Sequence, residues 1–322
     1  MLTPPAFWRF GANAMLPVLL QPLAAITARI TARRVAGLGY LASVPVICCG
    51  NASVGGAGKT TLALDIAQRF LARNRTPAFL TRGHGGTVRG VHCVDVACDT
   101  VATVGDEALL LARMAPCYVA ADRAAAARLA ISDGADVLIM DDGLQNPGLT
   151  KTVSLLVIDG PQGFGNNHVL PAGPLREPVT CAAARCGAAV LIGPDDTSAA
   201  AILPPNLPVL RAALAPDGAI AAFVGQHVFA FAGIGRPEKF FTMLRDAGVM
   251  LAGHRAFPDH HVFSATECTE LRRAAAAQNA VLVCTPKDHV RLPAAFPATP
   301  IGVTLRFTDD TAFANLLAKA AP

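Results

Sequence analysis

From residue 44 onward, short runs of β-branched and other apolar residues alternate with alanine-rich stretches whose apolar positions recur every three or four residues. That alternation is the signature of a parallel sheet covered by helices. Strands are predicted at 44–49, 78–81, 117–120, 137–140, 154–158 and 188–192, and helices at 59–74, 106–114 and 123–132. Within 59–74, Leu62, Ile66 and Phe70 share one helical face. Proline-rich sequence between Pro194 and Pro208 breaks the rhythm. A shorter series then begins, with strands at 228–232, 280–284 and 301–305 and helices at 237–247 and 265–279. The fold class is α/β, with a mainly parallel sheet, helices on both faces and a smaller C-terminal α/β domain. The expected divisions are 1–40, 41–215 and 216–322.

The first of these divisions has a different pattern. Leu16, Leu19, Leu20, Leu23, Ile26 and Ile30 recur at helical steps, with Trp8 before them and Arg29 and Arg33 at the far end. Pro17, Gln21 and Pro22 interrupt the run, and Arg29 closes it short of the roughly 20 apolar residues a spanning helix needs. A secretory leader would carry its basic residues before the apolar core, whereas most arginines here follow it. The segment reads as an amphipathic helix with an aromatic and cationic anchors, suited to a membrane surface. The same pattern also describes a helix packed on its own domain.

A 322-residue chain that is 52% hydrophobic can build a large core, which excludes a disordered or fibrous protein. Charged residues are only 16% and the net charge is +4, so nothing argues for wrapping nucleic acid. The basic excess is local: no Asp or Glu precedes Asp65. The nine cysteines include no C-x-x-C pair, and they read as reduced thiols. Cys181, Cys186 and His168 lack the spacing of a zinc site.

The chemistry enters after the first predicted strand, at Ser53-Val54-Gly55-Gly56-Ala57-Gly58-Lys59-Thr60-Thr61. Strand, glycine-rich turn, Lys-Thr and helix follow in the order of a phosphate loop. Its backbone N–H groups would converge on ATP phosphates, Lys59 would reach the β- and γ-phosphates, and the Thr60 hydroxyl could ligate Mg²⁺. Ser53 stands where the usual pattern has its first glycine. A second contribution to Mg²⁺ is expected from Asp141 and Asp142, which end the apolar strand 137–140. No guanine-reading Asn/Thr-Lys-x-Asp occurs, since Thr285-Pro286-Lys287-Asp288 has its lysine one place late. The signature lysine of the dimeric deviant-loop ATPases would fall at Val54. ATP as phosphoryl donor is favoured over a GTP switch or a partition-type ATPase.

Further runs give the chain a family likeness. They are Thr81-Arg82-Gly83-His84-Gly85-Gly86, Val104-Gly105-Asp106-Glu107-Ala108, Asp141-Asp142-Gly143-Leu144-Gln145, Gly165-Asn166 and Leu170-Pro171-Ala172-Gly173-Pro174-Leu175-Arg176-Glu177-Pro178. Later come Gly233-Ile234-Gly235 with Pro237, Phe240 and Phe241, then Phe257 with Asp259-His260-His261, then Thr285 with Lys287-Asp288. In this order they resemble the tetraacyldisaccharide 4′-kinase family over nearly the whole chain. The resemblance implies transfer of the ATP γ-phosphate to the 4′-hydroxyl of a tetraacyl glucosamine disaccharide 1-phosphate, giving lipid IVA in lipid A biosynthesis.

It also implies a peripheral or monotopic enzyme at the cytoplasmic face of the inner membrane, with a smaller domain that closes the active-site cleft and no obligate protein partner. By position it makes Asp106 the catalytic carboxylate that accepts the hydroxyl proton and His260 its dyad partner, beside Lys59. Arg176 is placed near phosphate of the nucleotide or the lipid, and His84, Arg123 and Asn166 near the substrate. His84 departs from the family's usual tyrosine, Asn146 from its histidine, Thr61 from a common proline and Pro286 from a glutamate. A kinase for a soluble metabolite and a nucleotide-dependent membrane module are the competing expectations.

Overall fold

The computed structural model describes residues 5–12 and 15–322; residues 1–4 and 13–14 of the expected N-terminal division lie outside them. Among the described residues, thirteen strands form two sheets. They are β1 (Val46–Gly50), β2 (Pro77–Thr81), β3 (His92–Cys93), β4 (Cys117–Val119), β5 (Val137–Asp141), β6 (Val153–Asp159), β7 (Ala188–Ile192), β8 (Val209–Pro216), β9 (His227–Ala232), β10 (Met250–Ala256), β11 (Val281–Cys284), β12 (Ala298–Pro300) and β13 (Val303–Phe307).

The large sheet runs in the order β13-β8-β7-β6-β1-β5-β2-β4-β3. Its strands are parallel except at the two ends, where β13 and β3 run antiparallel to their neighbours. Alternation along the strands feeds two cores. Val46 and Cys48 join Ala126, Ala130 and Ala24 on one face, while Ile47 and Cys49 join Leu62, Ile66 and Phe70 on the other. Both faces are covered because every residue of β1, β2 and β5 is buried, as a parallel sheet requires.

The second sheet, in the order β10-β9-β11-β12, is wholly parallel and carries two cores of its own. One centres on Phe231, ringed edge-on by Phe257, Phe263 and Phe296.

The chain leaves the large sheet after β8 and returns to it in β13, so the predicted strand 301–305 belongs to the large sheet as Val303–Phe307. The expected 216–322 division thus differs from the observed course, because the end of the chain is part of the larger core. Phe313 and Leu317 of helix Asp310–Ala320 are buried there, and Phe313 stacks on Phe307 with centroids 4.0 Å apart. An edge strand with half its residues exposed carries no periodicity that tells one sheet from another, which is why pattern alone misassigns it.

The N-terminal helices are Met15–Leu19 and Gln21–Val35. Leu20, Ala24 and Ala28 pack against the large sheet's core, and Thr31 Oγ1 donates to Arg176 O at 3.1 Å. The opposite stripe faces solvent, with Leu16 at 47% exposure, Leu19 at 73% and Leu23, Ile26 and Ile30 all above half. One side of the segment is thus a helix packed on its own domain, and the other is an exposed apolar stripe. No helix among the described residues is long and apolar enough to cross a membrane.

Candidate active site

The C-terminal ends of β1, β5 and β2 point into one cleft, where parallel α/β sheets place their chemistry. The loop after β1 turns through two left-handed glycines, Gly55 (φ 110°) and Gly58 (φ 90°), before helix Lys59–Leu71 begins. A Cβ at Gly58 would meet Ile192 at 2.7 Å, whereas one at Gly55 or Gly56 would meet nothing within 4 Å. The loop is therefore pinned at its base and open at its crest. Ser53 bridges to Leu175, and Val54 N donates to Pro174 O at 2.8 Å. Ala57 is buried, and Thr61 lies half-buried in the first helical turn. Lys59 Nζ lies 3.4 Å from Gly55 O and 3.9 Å from Asp142 Oδ2.

The two aspartates at the strand end differ sharply. Asp141 closes β5 at 1% exposure; its Oδ2 accepts from Thr60 Oγ1 at 2.9 Å, and its Oδ1 has no partner. Burial, reinforced by the charge of Glu107, pushes its carboxyl up to about 7. Asp142, in the left-handed region at φ 56°, takes a two-pronged ion pair from Arg176. Burial acts to raise its carboxyl, but Lys59 and Arg176 together hold it below the ordinary range. Arg176 also reaches Gln145 Oε1 at 3.2 Å. Gln145 Nε2 in turn donates to Glu177 Oε1 at 2.9 Å, and Arg185 Nη2 alone reaches both oxygens of that carboxylate, at 2.7 and 2.8 Å.

The donors around Asp141 are hard oxygens, and an orphaned buried carboxylate oxygen beside a threonine hydroxyl suits Mg²⁺. Thr60, Asp141 and Asp142 are the residues that would hold it.

Across the cleft, helix Asp106–Ala112 starts at Gly105, whose φ of 88° and contact with His84 O exclude a side chain. Asp106 is 3% exposed, and its Oδ2 accepts from His260 Nδ1 at 2.9 Å and from Arg291. Burial raises this carboxyl, yet His260 and Arg291 outweigh it and leave Asp106 far below the carboxylate norm. The hydrogen bond to Asp106 raises His260. The exposures run opposite to the expected roles: the carboxylate is buried, and the imidazole, 32% exposed, borders the opening.

The other expected substrate residues divide. His84 is exposed in the glycine-rich loop, beside a cavity of about 380 Å³ also lined by Arg82 and Arg89. Arg123 is buried at the start of helix Arg123–Ser132, donating to Ala120 O with its Nε unpartnered. Burial, with Arg82 adding to it, lowers this guanidinium to about 10. Asn166 spends its amide on the backbone, Nδ2 to Phe7 O and Ala172 O at 2.8 and 2.9 Å.

The inter-sheet contacts that no sequence motif predicts include Arg291 on Asp106, Lys287 Nζ on Glu107 at 2.7 Å, Arg113 with His289 at 2.9 Å, and Arg236 with Lys239 on Asp159. Lys287 lies within a quoted run and Arg291 three residues after it, but no local pattern assigns either a partner.

A phosphate loop, a strand-end carboxylate pair and a buried Asp106 bonded to a half-buried His260 define a phosphate-loop enzyme of the kinase class. The family model described as tetraacyldisaccharide-1-P 4′-kinase matches residues 16–321. A curated tetraacyldisaccharide 4′-kinase of Gluconacetobacter diazotrophicus is 56% identical over 97% of this chain and 96% of its own. One of Gluconobacter oxydans is 48% identical over 98% and 97%. A crystal structure of LpxK from Aquifex aeolicus in complex with ATP has the same fold, with a TM-score of 0.77 at 23% identity over 96% of this chain and all of that one. The chain belongs to the tetraacyldisaccharide-1-P 4′-kinase family.

Proposed function

We propose that this chain transfers the γ-phosphoryl group of ATP to the 4′-hydroxyl of a tetraacyldisaccharide 1-phosphate, a step of lipid A biosynthesis; the family and the curated relatives are named for that acceptor and position. The observation that carries the reading is the match to the family over residues 16–321, joined to the contact of Asp106 with His260 at 2.9 Å. Phosphoryl transfer asks a protein for positioning and charge neutralisation more than for covalent chemistry. The loop from Ser53 to Thr61 cradles the phosphates, and Lys59 neutralises the transferred group. Mg²⁺, held by Thr60, Asp141 and Asp142, would supply charge neutralisation across the phosphates. Arg176 orients Asp142 through its fork. The Asp106–His260 pair receives the hydroxyl proton, and Arg82 and Arg89, with His84 beside them as a hydrogen-bonding side chain, offer a cationic wall to an anionic sugar.

An acceptor with four acyl chains stays in a bilayer, so the enzyme works at the membrane surface. The exposed stripe from Leu16 to Ile30, with Arg29, Arg33 and Arg34 exposed at its end, is the surface that meets the cytoplasmic face of the inner membrane. The deciding assay supplies purified protein with ATP, Mg²⁺ and the tetraacyldisaccharide 1-phosphate in detergent. A product carrying one added phosphate at the 4′-position supports the reading, and folded, ATP-binding protein that makes none sinks it. Turnover of a water-soluble acceptor instead would favour a different kinase on this scaffold.

A further inference from the structure

Nearly all the bonding of Asp106 falls on one of its oxygens. Oδ2 accepts from His260 Nδ1 at 2.9 Å, from Arg291 Nε at 3.1 Å and from Arg291 Nη2, while Oδ1 accepts the Glu107 backbone N–H at 2.9 Å. Arg291 is buried, and the rest of its guanidinium is anchored beneath the second sheet. Nη1 donates to Gly233 O at 2.7 Å and to Asp288 Oδ1 at 3.2 Å. Asp288, wholly buried, is itself fixed by the Gly233 N–H at 2.9 Å and the Thr285 hydroxyl at 2.6 Å. One rigid frame at the end of β9 and β11 therefore reaches across to the carboxylate of the large sheet. Arg291 Nη2 also lies 3.4 Å from His260 Nδ1, so a fixed positive charge stands beside the imidazole.

We propose that Arg291 is a positioning residue for the transfer assigned above: it anchors Asp106 to the Gly233–Asp288 frame and sets a fixed positive charge beside the His260 ring that this carboxylate holds. A carboxylate that accepts from both a guanidinium and an imidazole is stabilised as the anion and is a poor base. With Nδ1 turned to Asp106, the ring presents Nε2 on its exposed side, the division of labour of a buried carboxylate behind a histidine base. In the step, the acceptor O–H bond breaks and its proton passes to Nε2. The oxygen bonds the γ-phosphorus, and the bond to ADP breaks with its electron pair leaving on ADP.

The charged groups around the ring fix the sign of the test. Helix Asp106–Ala112 and the residue after it contribute Asp106, Glu107 and Arg113; the turn after β11 contributes Lys287, Asp288, His289 and Arg291; the ring's own loop contributes Asp259, 3.8 Å from Nε2, and His261. Glu107 is paired with Lys287, Arg113 with His289 and His261 with Glu267. Asp106, Asp259 and Arg291 are the charges that act on the ring, the first two raising it and Arg291 lowering it. Removing the guanidinium thus lets His260 hold its proton to higher pH, and the acidic limb of kcat/KM must move up.

The inference rests on the kinase reading, and the experiment separates the two. With ATP, Mg²⁺ and the tetraacyldisaccharide 1-phosphate in detergent, kcat and KM are measured from about pH 5 to about pH 9 for the unsubstituted chain, Arg291→Met, Arg291→Lys and Asp288→Asn. Arg291→Met is expected to lower kcat about 10- to 100-fold with KM for ATP nearly unchanged. Its acidic limb should move up by about one pH unit. Arg291→Lys, which keeps the charge but not the fork, should restore the limb and only part of kcat. Asp288→Asn removes the anion that shares the guanidinium and should move the limb down. A limb that stays in place in folded Arg291→Met overturns the proposal. Should that variant not fold, absence of the downward movement in Asp288→Asn overturns it equally. No turnover by the unsubstituted chain refutes the kinase reading itself, whatever the variants do.

Discussion

Arg176 grips Asp142 with both arms of its guanidinium, Nη1 to Oδ1 at 2.7 Å and Nη2 to Oδ2 at 2.9 Å. The fork fixes the plane of a carboxylate that also faces Lys59, so the arginine's contribution is geometric as well as electrostatic. Arg176→Lys keeps the charge and loses the fork. It should cost about 10- to 100-fold in activity or metal affinity, the range typical of residues that orient a metal ligand. Steady-state kinetics at saturating and limiting Mg²⁺ would check this; a fully active lysine variant would mean that the charge alone suffices.

Thr60 and Asp141 give a sharper metal prediction. Thr60 Oγ1 donates to Asp141 Oδ2 at 2.9 Å while Asp141 Oδ1 is unpartnered, and the proposed Mg²⁺ site draws on both side chains. Thr60→Val conserves volume and removes the hydroxyl. The Mg²⁺ concentration for half-maximal activity should rise by about one order of magnitude or more, with the fold intact by circular dichroism. An unchanged Mg²⁺ dependence would remove Thr60 from the set.

Parts of this architecture are readable from local pattern. The strand, glycine turn and helix around Lys59 are legible because backbone geometry, helix start and hydrophobic period all agree within twenty-odd residues, roughly the span over which such patterns operate. Strands of the central sheet are likewise legible, since burial on both faces leaves unbroken apolar runs such as Val137–Asp141. The half-exposed strands β8 and β13 lack that signal. Asp106 and His260 stand 154 residues apart, and their contact is visible in sequence only through the family resemblance. Arg291, 185 residues from Asp106, belongs to no motif in that resemblance and emerges only when the two sheets are brought together. Asn166 shows the converse: beside a glycine in a quoted run it reads as a ligand, while its amide carries backbone carbonyls.

The buried pair of Asp106 and Arg291 should separate stability from catalysis. Their side chains are 4% and 1% exposed, so Asp106→Asn takes one of two carboxylate partners from a buried guanidinium, leaves Asp288 as the other, and should cost about 1–3 kcal/mol. His260→Gln, at a half-buried site, should cost under about 1 kcal/mol while lowering kcat by about 10²- to 10⁴-fold. Because the folded Asp106 lies below its unfolded value, its contribution is complete above about pH 4 and fades as pH falls toward the folded value. His260, raised when folded, contributes fully below about pH 6.5 and loses its share as pH rises through the folded value. Urea unfolding of both variants at neutral and acidic pH would test this. Equal destabilisation by the two would contradict the assignment of the burial cost to Arg291.

The N-terminal helix makes a prediction independent of the active site. Leu16, Leu19, Leu23, Ile26 and Ile30 advance by three and four residues and stay exposed, while Leu20, Ala24 and Ala28 on the other side pack against the core. Replacing Leu19, Leu23 and Ile26 together by serine removes apolar side chains that folding leaves 73%, 52% and 52% exposed. The thermal midpoint and ATP affinity should therefore stay near those of the unsubstituted protein. Transfer of a buried side chain of this size is worth about 1.5–3 kcal/mol, so even partial insertion of three should weaken binding to anionic vesicles by at least about tenfold. Raising salt should weaken the unsubstituted protein's vesicle binding only in part, since Arg29, Arg33 and Arg34 supply the screened component and the leucine stripe does not. Cosedimentation with vesicles at low and high salt measures both components. Undiminished binding by the triple variant would place the membrane contact elsewhere on the molecule.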